Sequence, residues 1–514
     1  MIRSSAGWMA MRVVGLTLGV GLAVIVPSFA GSPGDGAERV FADQLRASHV
    51  PGGALSIVTR GGTGAVGVGT AGDDAATATT PFVIGSTTKS FTALAVMQLV
   101  DSGDVDLDAP VREYVPELSL AEGQAVNSIT VRHVLQQTSG LDDLSGGSLL
   151  ASAADGSPLQ AVAELKNAEL MSRPGEAWRY ANVNYVLAGL VVERASGMSY
   201  ADYVARRIFD PLGMEDSTAK GPPPNVSPGH QFWFGVPVGT RPVVRRAVMA
   251  AGYIVSTADD LGRYLAMYLA DGRAKDGTRV VSAAGLRTLV SPGPEAKLGP
   301  WADAMGSRYA MGWFVGGPWG PGAVFHPGNS PDSSAMLCLF PDQDMGVATL
   351  VNAGHELPVP GNPALTDRIA RNVVHAALGE SVPAAPSLDA LYLGFDIVSL
   401  LLIGLAAVGV ARAISALRNG HSAKHPALAV FGILLGIAGV AVLLVAPSLL
   451  GGWTAVWTWA PDLAVVLGCL ALLLAISALL RSTQFLRPRT EQPAGAIGHV
   501  AQGPSPLGRD PAQT

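Results

Sequence analysis

The chain has 514 residues, 49% of them hydrophobic and only 14% charged, with a formal net charge of −6. That length allows more than one domain, and so apolar a content exceeds that of an ordinary soluble enzyme and predicts membrane segments. The acidic balance and the lack of a basic stripe give no support to nucleic-acid binding. The two cysteines, Cys338 and Cys469, fall in segments of different kinds, which argues against a disulfide staple, and no Cys/His cluster has zinc-ligand spacing, so neither metal nor cofactor is expected.

Arg3 and Arg12 precede a 14-residue apolar run, Val13 to Val26. This is short for a membrane span but suits a signal-peptide core, and Ser28 and Ala30 supply small residues at a cleavage site, so residues 1–30 read as a signal peptide. Residues 31–380 then read as one globular unit. Gly53 to Val58 and Ala65 to Thr70 flank the turn-rich Arg60-Gly61-Gly62-Thr63-Gly64 and predict a β-hairpin. Ile84-Gly85 opens into an apolar run from Phe91 to Val100, which predicts a helix ending near Gly103. Residues 104–290 read as mostly helix and loop, with helices over Asn184 to Glu193 and Ala258 to Leu269, the latter capped by Thr257 with Asp260 three residues on. Strand-like runs return at Tyr309 to Val315, Ala323 to His326, Ala335 to Phe340 and Met345 to Val351, before a helix from Leu365 to Leu378. Strands at both ends with helices between predict an α+β fold: one antiparallel sheet flanked by helices, with a mostly helical insert.

Residues 381–387 read as a linker, and three long apolar segments follow at about 391–411, 427–446 and 463–480, inside a transmembrane region spanning 388–482. Each is near the ~20 residues that cross a bilayer. Arg412, Arg418 and Lys424 follow the first segment, and Arg481, Arg487 and Arg489 follow the third. The loop between the second and third has no Lys or Arg but carries Trp453, Trp457 and Trp459. The positive-inside rule then puts the basic segments in the cytoplasm and the Trp loop outside. The globular unit is outside too, in a multi-pass membrane protein whose tail, 483–514, is cytoplasmic and disordered. Asp396, inside the outer part of the first segment, is a candidate functional carboxylate, since charge within a span is costly, although about five residues from the segment's start it can also simply reach the interface.

Ser86-Thr87-Thr88-Lys89 carries the chemistry. On a helix, residues three apart share a face with Cβ atoms about 5–6 Å apart. A serine hydroxyl becomes a nucleophile when a neighbour takes its proton, and a lysine can do so if burial keeps its amine neutral. The helix N-terminus adds partial positive charge that favours a developing oxyanion. Alone the tetrapeptide equally fits a surface Ser and Lys at a helix start. It is joined by Tyr180-Ala181-Asn182, inside the run Arg173 to Tyr185, and by His326-Pro327-Gly328 between two strand-like segments.

The order and spacing of these three elements resemble the serine β-lactamase and penicillin-binding protein family, most closely its class C-like branch. Val131-Arg-His-Val-Leu-Gln-Gln-Thr-Ser-Gly-Leu141, Pro211-Leu-Gly-Met214 and Ser256-Thr-Ala-Asp-Asp-Leu261 add to the likeness, which covers roughly residues 38–378. The resemblance implies a β-lactamase/transpeptidase-like fold with its site between the sheet and the helical part. It implies Ser86 as acylated nucleophile, Lys89 as proton acceptor and Tyr180 as proton relay to the leaving group. Asn182 would bond the lysine and the substrate amide, and Tyr185 would pack rather than react. His326 and Gly328 would line the cleft from a strand, and the backbone N–H groups of Ser86 and Asn329 would form the oxyanion hole. The third element departs from the Lys-Thr-Gly of penicillin-binding proteins. Histidine is only partly charged near neutral pH and proline offers neither hydroxyl nor N–H, which weakens the case for carboxylate-bearing substrates such as β-lactams and D-Ala-D-Ala peptides.

The expected activity is an exported, membrane-anchored serine hydrolase acting on a peptide, amide or ester through an acyl-enzyme, D-Ala-D-Ala carboxypeptidase-like or esterase-like, with β-lactamase activity ranked last. A ligand-binding receptor that acylates without turnover is the alternative, and a transporter fits poorly with three short spans and one buried-charge candidate. The partners expected are a small-molecule or peptide substrate outside the membrane and the lipid bilayer, with no nucleic acid. One helix would suffice as an anchor, so three leave room for a lipid-linked substrate or a protein partner.

Overall fold

The computed structural model describes residues 34–121, 125–142, 156–241, 245–293, 307–354, 365–382, 387–419, 426–450 and 452–486. The expected signal peptide, 1–30, lies outside them, as does the expected tail from 487 onward. The chain forms two compact units. The first runs through Val398 and takes back Ala446–Val465; the second holds Ser399–Val445 and the chain from Val466 on.

The first unit is built on an eight-stranded sheet. In chain order its strands are β1 (Gly52–Thr59), β2 (Gly62–Ala71), β3 (Asp74–Ala75), β8 (Ser307–Tyr309), β9 (Phe314–Gly316), β10 (Val324–Asn329), β11 (Ser334–Phe340) and β12 (Met345–Val351), arranged β3-β2-β1-β12-β11-β10-β9-β8. All neighbours are antiparallel. Two short pairs lie apart from it, β4 (Phe82–Val83) with β7 (Val255–Ser256) and β5 (Gly229–Trp233) with β6 (Val236–Thr240). The first and last parts of the chain meet at the sheet centre, where Gly53 faces Val351 and Val58 faces Gly346.

Along β1, β11 and β12 alternate residues are buried on both faces. One face presents Leu55, Phe325, Met336, Cys338 and Val347 to α1 (Gly34–Ala47) and a late helix, Leu365–Ala377, whose Ala37, Phe41, Ile369 and Val373 share that core. The other presents Ala54, Val58, Leu337, Ala348 and Leu350 to the helical part. There α2 (Thr88–Ser102) is buried almost all round, as expected of a helix at the centre of a large core. It ends at Gly103, left-handed at φ 82°, whose N–H caps the Val100 carbonyl. Beside it run α3 (Asn182–Ser196) and α4 (Ala258–Leu269); the Thr257 side chain caps α4 by accepting from the Asp260 N–H.

The α+β expectation holds, with three departures. The run from Tyr309 to Val315 is two strands rather than one, because the chain turns at 310–313 and lays Gly312 (φ 75°) against α2. A Cβ on Gly312 would stand 2.7 Å from the Lys89 carbonyl oxygen, so the turn fits only with glycine there. The expected helix at 184 begins two residues earlier, at Asn182. The β5–β6 hairpin interrupts the region expected to be helix and loop.

Among the described residues, three helices are long and apolar enough to cross a membrane: Leu388–Arg418, Ala429–Ser448 and Pro461–Leu486. Within the second unit, Gly436 faces Ala478 and Gly439 faces Leu474, so small residues let two of these helices approach closely. Cys338 is buried on β11 and Cys469 is exposed, and both are free. Asp396 sits in the first of these helices, and its Oδ1 finds no hydrogen-bond partner among the described residues.

Candidate active site

Ser86 lies in a 3-10 turn, Gly85–Thr87, that leads into α2. The turn is strapped from several sides. The Ile84 N–H donates to the Ile254 carbonyl at 3.0 Å, and the Ile254 N–H donates to Thr88 Oγ1 at 3.2 Å. Thr87 Oγ1 donates back to the Ile84 carbonyl at 2.7 Å, and Ser333 Oγ donates to the Val83 carbonyl at 2.9 Å. Gly85 adopts φ 53°, and a Cβ there would stand 2.6 Å from the Asn329 nitrogen. Glycine on the other side answers it: a Cβ on Gly328 would run into the Ile84 carbonyl oxygen. The serine turn and the end of β10 thus touch backbone to backbone, and both glycines are required by that approach.

Lys89 is fully buried. Its Nζ donates to Asn182 Oδ1 at 2.8 Å and to the Ala251 carbonyl at 2.6 Å, and lies 3.0 Å from Ser86 Oγ. It also stands 4.8 Å from the centre of the Tyr180 ring and 5.6 Å from that of Tyr185. The Ala251 carbonyl is turned inward by the one-turn helix Met249–Gly252, whose last carbonyls have no partner within so short a helix. Thr92, one turn along α2 from Thr88, fixes that helix by donating to the Ala250 carbonyl at 2.6 Å.

Tyr180 and Asn182 come from the extended segment that enters α3. A loop at 137–139 holds this segment. Gln137, itself at φ 60°, accepts the Ala181 N–H at 3.1 Å and Asn184 Nδ2 at 2.6 Å through Oε1, and its carbonyl accepts the Arg179 N–H at 2.8 Å. Ser139 Oγ donates to Asn184 Oδ1 at 2.7 Å. Tyr185 is buried in the same core, with its hydroxyl donating to the Leu135 carbonyl at 2.8 Å.

His326 lies on β10 and is almost completely buried. Its Nδ1 is 2.6 Å from the Pro327 carbonyl, which can only accept, so Nδ1 carries the proton and Nε2 accepts from the Tyr309 hydroxyl at 3.2 Å. Burial, and then the nearby Lys89 charge, pull its pKa down to about 3, so the imidazole is neutral. Pro327 is tolerated within a strand because pairing of β10 with β9 stops at Phe325; from His326 onward that side of β10 is an open edge facing the cleft.

A cavity of about 450 Å³ opens at these groups, lined by Ser86, Tyr180, Asn182, His326 and Asn329 together with Trp178, Val248, Tyr253, Phe314, Pro331 and Trp459. That volume suits a small-molecule site. Among the described residues that line it, none is Arg or Lys. The structure therefore brings Ser86, Lys89, Tyr180, Asn182, His326, Gly328 and Asn329 together from three distant parts of the chain. Sequence reasoning missed Ala251, whose contribution is a backbone atom without a side-chain signature. It also missed the supporting roles of Gln137, Ser139 and Asn184, although two of these stand in the Gln-Gln-Thr-Ser-Gly phrase. Trp459 enters the sequence reading only as a tryptophan of the outer loop.

Residues 37–370 match the family described as Beta-lactamase. Penicillin-binding protein 4 of Amycolatopsis lactamdurans is 31% identical over 330 residues, covering 61% of this chain and 84% of its own. Protein flp of Staphylococcus aureus (strain MW2) is 27% identical over 444 residues, 82% of this chain and 85% of its own, so that likeness extends beyond the matched domain. Among solved structures, the octameric penicillin-binding protein homologue from Pyrococcus abyssi gives a TM-score of 0.56 at 28% identity, covering 67% of this chain and 77% of that one.

Proposed function

We propose, for a chain that belongs to the beta-lactamase and penicillin-binding protein family, that it is a membrane-associated hydrolase using Ser86 to form an acyl-enzyme from an ester, amide or peptide. The observation that carries this reading is Lys89 Nζ, held between Ser86 Oγ, Asn182 Oδ1 and the Ala251 carbonyl. The three acceptors match the three hydrogens of the ammonium whose charge His326 feels; the base is the neutral form, which keeps two hydrogens for the two carbonyls and turns its lone pair to the Ser86 proton. Oγ then bonds to the substrate carbonyl carbon while the backbone N–H groups of Ser86 and Asn329 receive the oxyanion. The carbon–leaving-group bond breaks, and Tyr180, beside the new ammonium, passes the leaving group its proton. Water repeats the sequence in reverse: it gives a proton to the same pair, attacks the acyl carbon, and the carbon–Oγ bond breaks to release the acid and restore Ser86.

On substrate class, the third element offers a neutral histidine and a proline where a cation and a hydroxyl would grip a carboxylate. An ester or amide without a free carboxylate at that position is therefore favoured over a D-Ala-D-Ala peptide, and efficient β-lactam hydrolysis ranks last. By the positive-inside rule, Arg412 and Arg418 after the first apolar helix favour a cytoplasmic loop there and a catalytic unit outside. Two crossings return the 446–465 loop to the side of the sheet domain, which agrees with both belonging to one compact unit.

The full chain in detergent, with Ser86→Ala as control, tests the reading by labelling with a fluorophosphonate and a fluorescent penicillin and locating the adduct by intact and peptide mass. Fluorophosphonate on Ser86 without penicillin is the expected result. Labelling by both would restore penicillin-type substrates. A folded wild-type chain that takes neither would remove the catalytic claim and leave a ligand-binding receptor as the better account.

A further inference from the structure

One residue of the cavity lining comes from an unexpected part of the chain. Trp459 lines the same cavity as Ser86, and it stands two residues before Pro461, where the third long apolar helix begins. Two residues reach at most about 7 Å, so the cavity lies within that distance of chain that enters the bilayer. The loop carrying Trp459 is fastened to the β5–β6 hairpin. Gln231 Nε2 donates to the Thr458 carbonyl at 2.8 Å, the Phe234 N–H donates to Asp462 Oδ2 at 3.4 Å, and Trp233 meets Trp457 edge-on at 5.8 Å. The start of the first apolar helix joins them, with Tyr392 stacked on Phe232 at 6.2 Å and Phe395 beside Phe234 at 6.1 Å. The hairpin tip keeps Val236 60% and Val238 43% exposed. Aromatic clusters at the ends of apolar helices sit at the headgroup level of a bilayer, and an exposed apolar tip beside them fits the same lipid surface.

From this arrangement, and resting on the acyl-serine reading above, we propose that the substrate is a membrane-resident amphiphile. Its scissile ester or amide reaches Ser86 while its apolar tail passes along Trp459 toward the bilayer. The lack of Arg or Lys among the described lining residues fits a neutral headgroup at the reacting bond, and the aromatic and aliphatic lining at Trp178, Val248, Phe314 and Trp459 fits a hydrocarbon chain. The loop between the second and third helices is then a working part of the site, which explains why the chain carries more membrane helices than an anchor needs.

The test compares two fluorophosphonates that differ only in alkyl tail, two carbons against sixteen, on the full chain in vesicles of phosphatidylcholine and phosphatidylglycerol. Each forms an Oγ–phosphorus bond on Ser86 and releases fluoride. The expected result is that the long probe labels Ser86 at least tenfold faster than the short one, and that Trp459→Ala brings the ratio down severalfold toward one. Equal rates for the wild-type chain overturn the proposal without touching the acyl-serine reading, since the short probe still reports Ser86. A long-probe preference that survives Trp459→Ala reflects partition into lipid alone and also overturns it. Should neither probe label the wild-type chain, the catalytic reading fails and this inference falls with it.

Discussion

Lys89 shows how much a single buried group can carry. Replacing it with methionine, of similar length, removes the base and leaves the Asn182 and Ala251 carbonyls without their donor. Labelling of Ser86 should fall by roughly 10²–10⁴-fold, the range of general base catalysis, measured as the pseudo-first-order rate with a fluorophosphonate. Lys89→Arg should not rescue it, because a guanidinium does not give up its proton. His326 makes a prediction about stability. Its pKa is about 3 in the folded chain against about 6.5 unfolded. As pH falls below 6.5 the unfolded chain takes up a proton that the folded chain refuses, so this residue subtracts stability progressively between pH 6.5 and about 3. In the His326→Gln variant that component disappears, and the melting temperature should fall less steeply with acid than in the parent over the same range. Gly328→Ala should be among the most damaging one-carbon changes, because the added Cβ meets the Ile84 carbonyl of the serine turn. A loss of about 1–3 kcal/mol, as for overpacking, with loss of Ser86 labelling, is the expected outcome in urea unfolding and probe assays.

Elements rather than side chains set the geometry at the next scale. Tyr180 precedes α3 in an extended segment and Asn182 opens that helix, and the 137–139 loop positions them through Asn184, a buried residue outside the cavity lining. Asn184→Leu would take from Gln137 Oε1 one of its two donors and from the buried Ser139 hydroxyl its acceptor. Such buried polar groups cost about 1–3 kcal/mol each, so the denaturation midpoint should fall. Ser86 labelling should slow in the variant even at temperatures where it is fully folded, because Tyr180 and Asn182 lose their hold. A variant destabilised but labelled at the parent's rate would show that the loop serves stability alone. The same logic explains the turn at 310–313: a continuous strand would carry β8 and β9 past α2, whereas Gly312 lets the chain fold against the backbone of Lys89.

At the scale of the whole molecule, the sheet domain does not end the first compact unit; Ala446–Val465 returns to it. A chain stopped after residue 380 lacks both the Trp457–Trp459 loop and the Tyr392 and Phe395 contacts, leaving Trp233 and Phe234 uncovered beside Val236 and Val238. Newly exposed apolar surface of this kind drives association. The shortened chain should self-associate in light scattering at concentrations where the full chain in detergent stays monodisperse, and Phe234→Ser with Val236→Ser should reverse that association.

The fold class, the order of the main elements and the three long apolar helices were legible in the sequence, because period-2 and unbroken apolar runs report burial directly and a span is set by length and composition. The candidate site was legible as three short phrases, Ser86 to Lys89, Tyr180 to Asn182 and His326 to Gly328, because side-chain chemistry is written in residue identity. Tertiary structure alone decided the rest. Ala251 enters through a carbonyl, an atom every residue owns. His326 becomes neutral through burial beside Lys89, more than 200 positions away in the chain. Pro327 is accommodated by an edge that exists only where β9 stops pairing, and Trp459 lines the cavity only because its loop folds back onto a hairpin that the sequence did not announce. Each depends on which distant segments meet, and proximity between distant segments has no local signature in a chain.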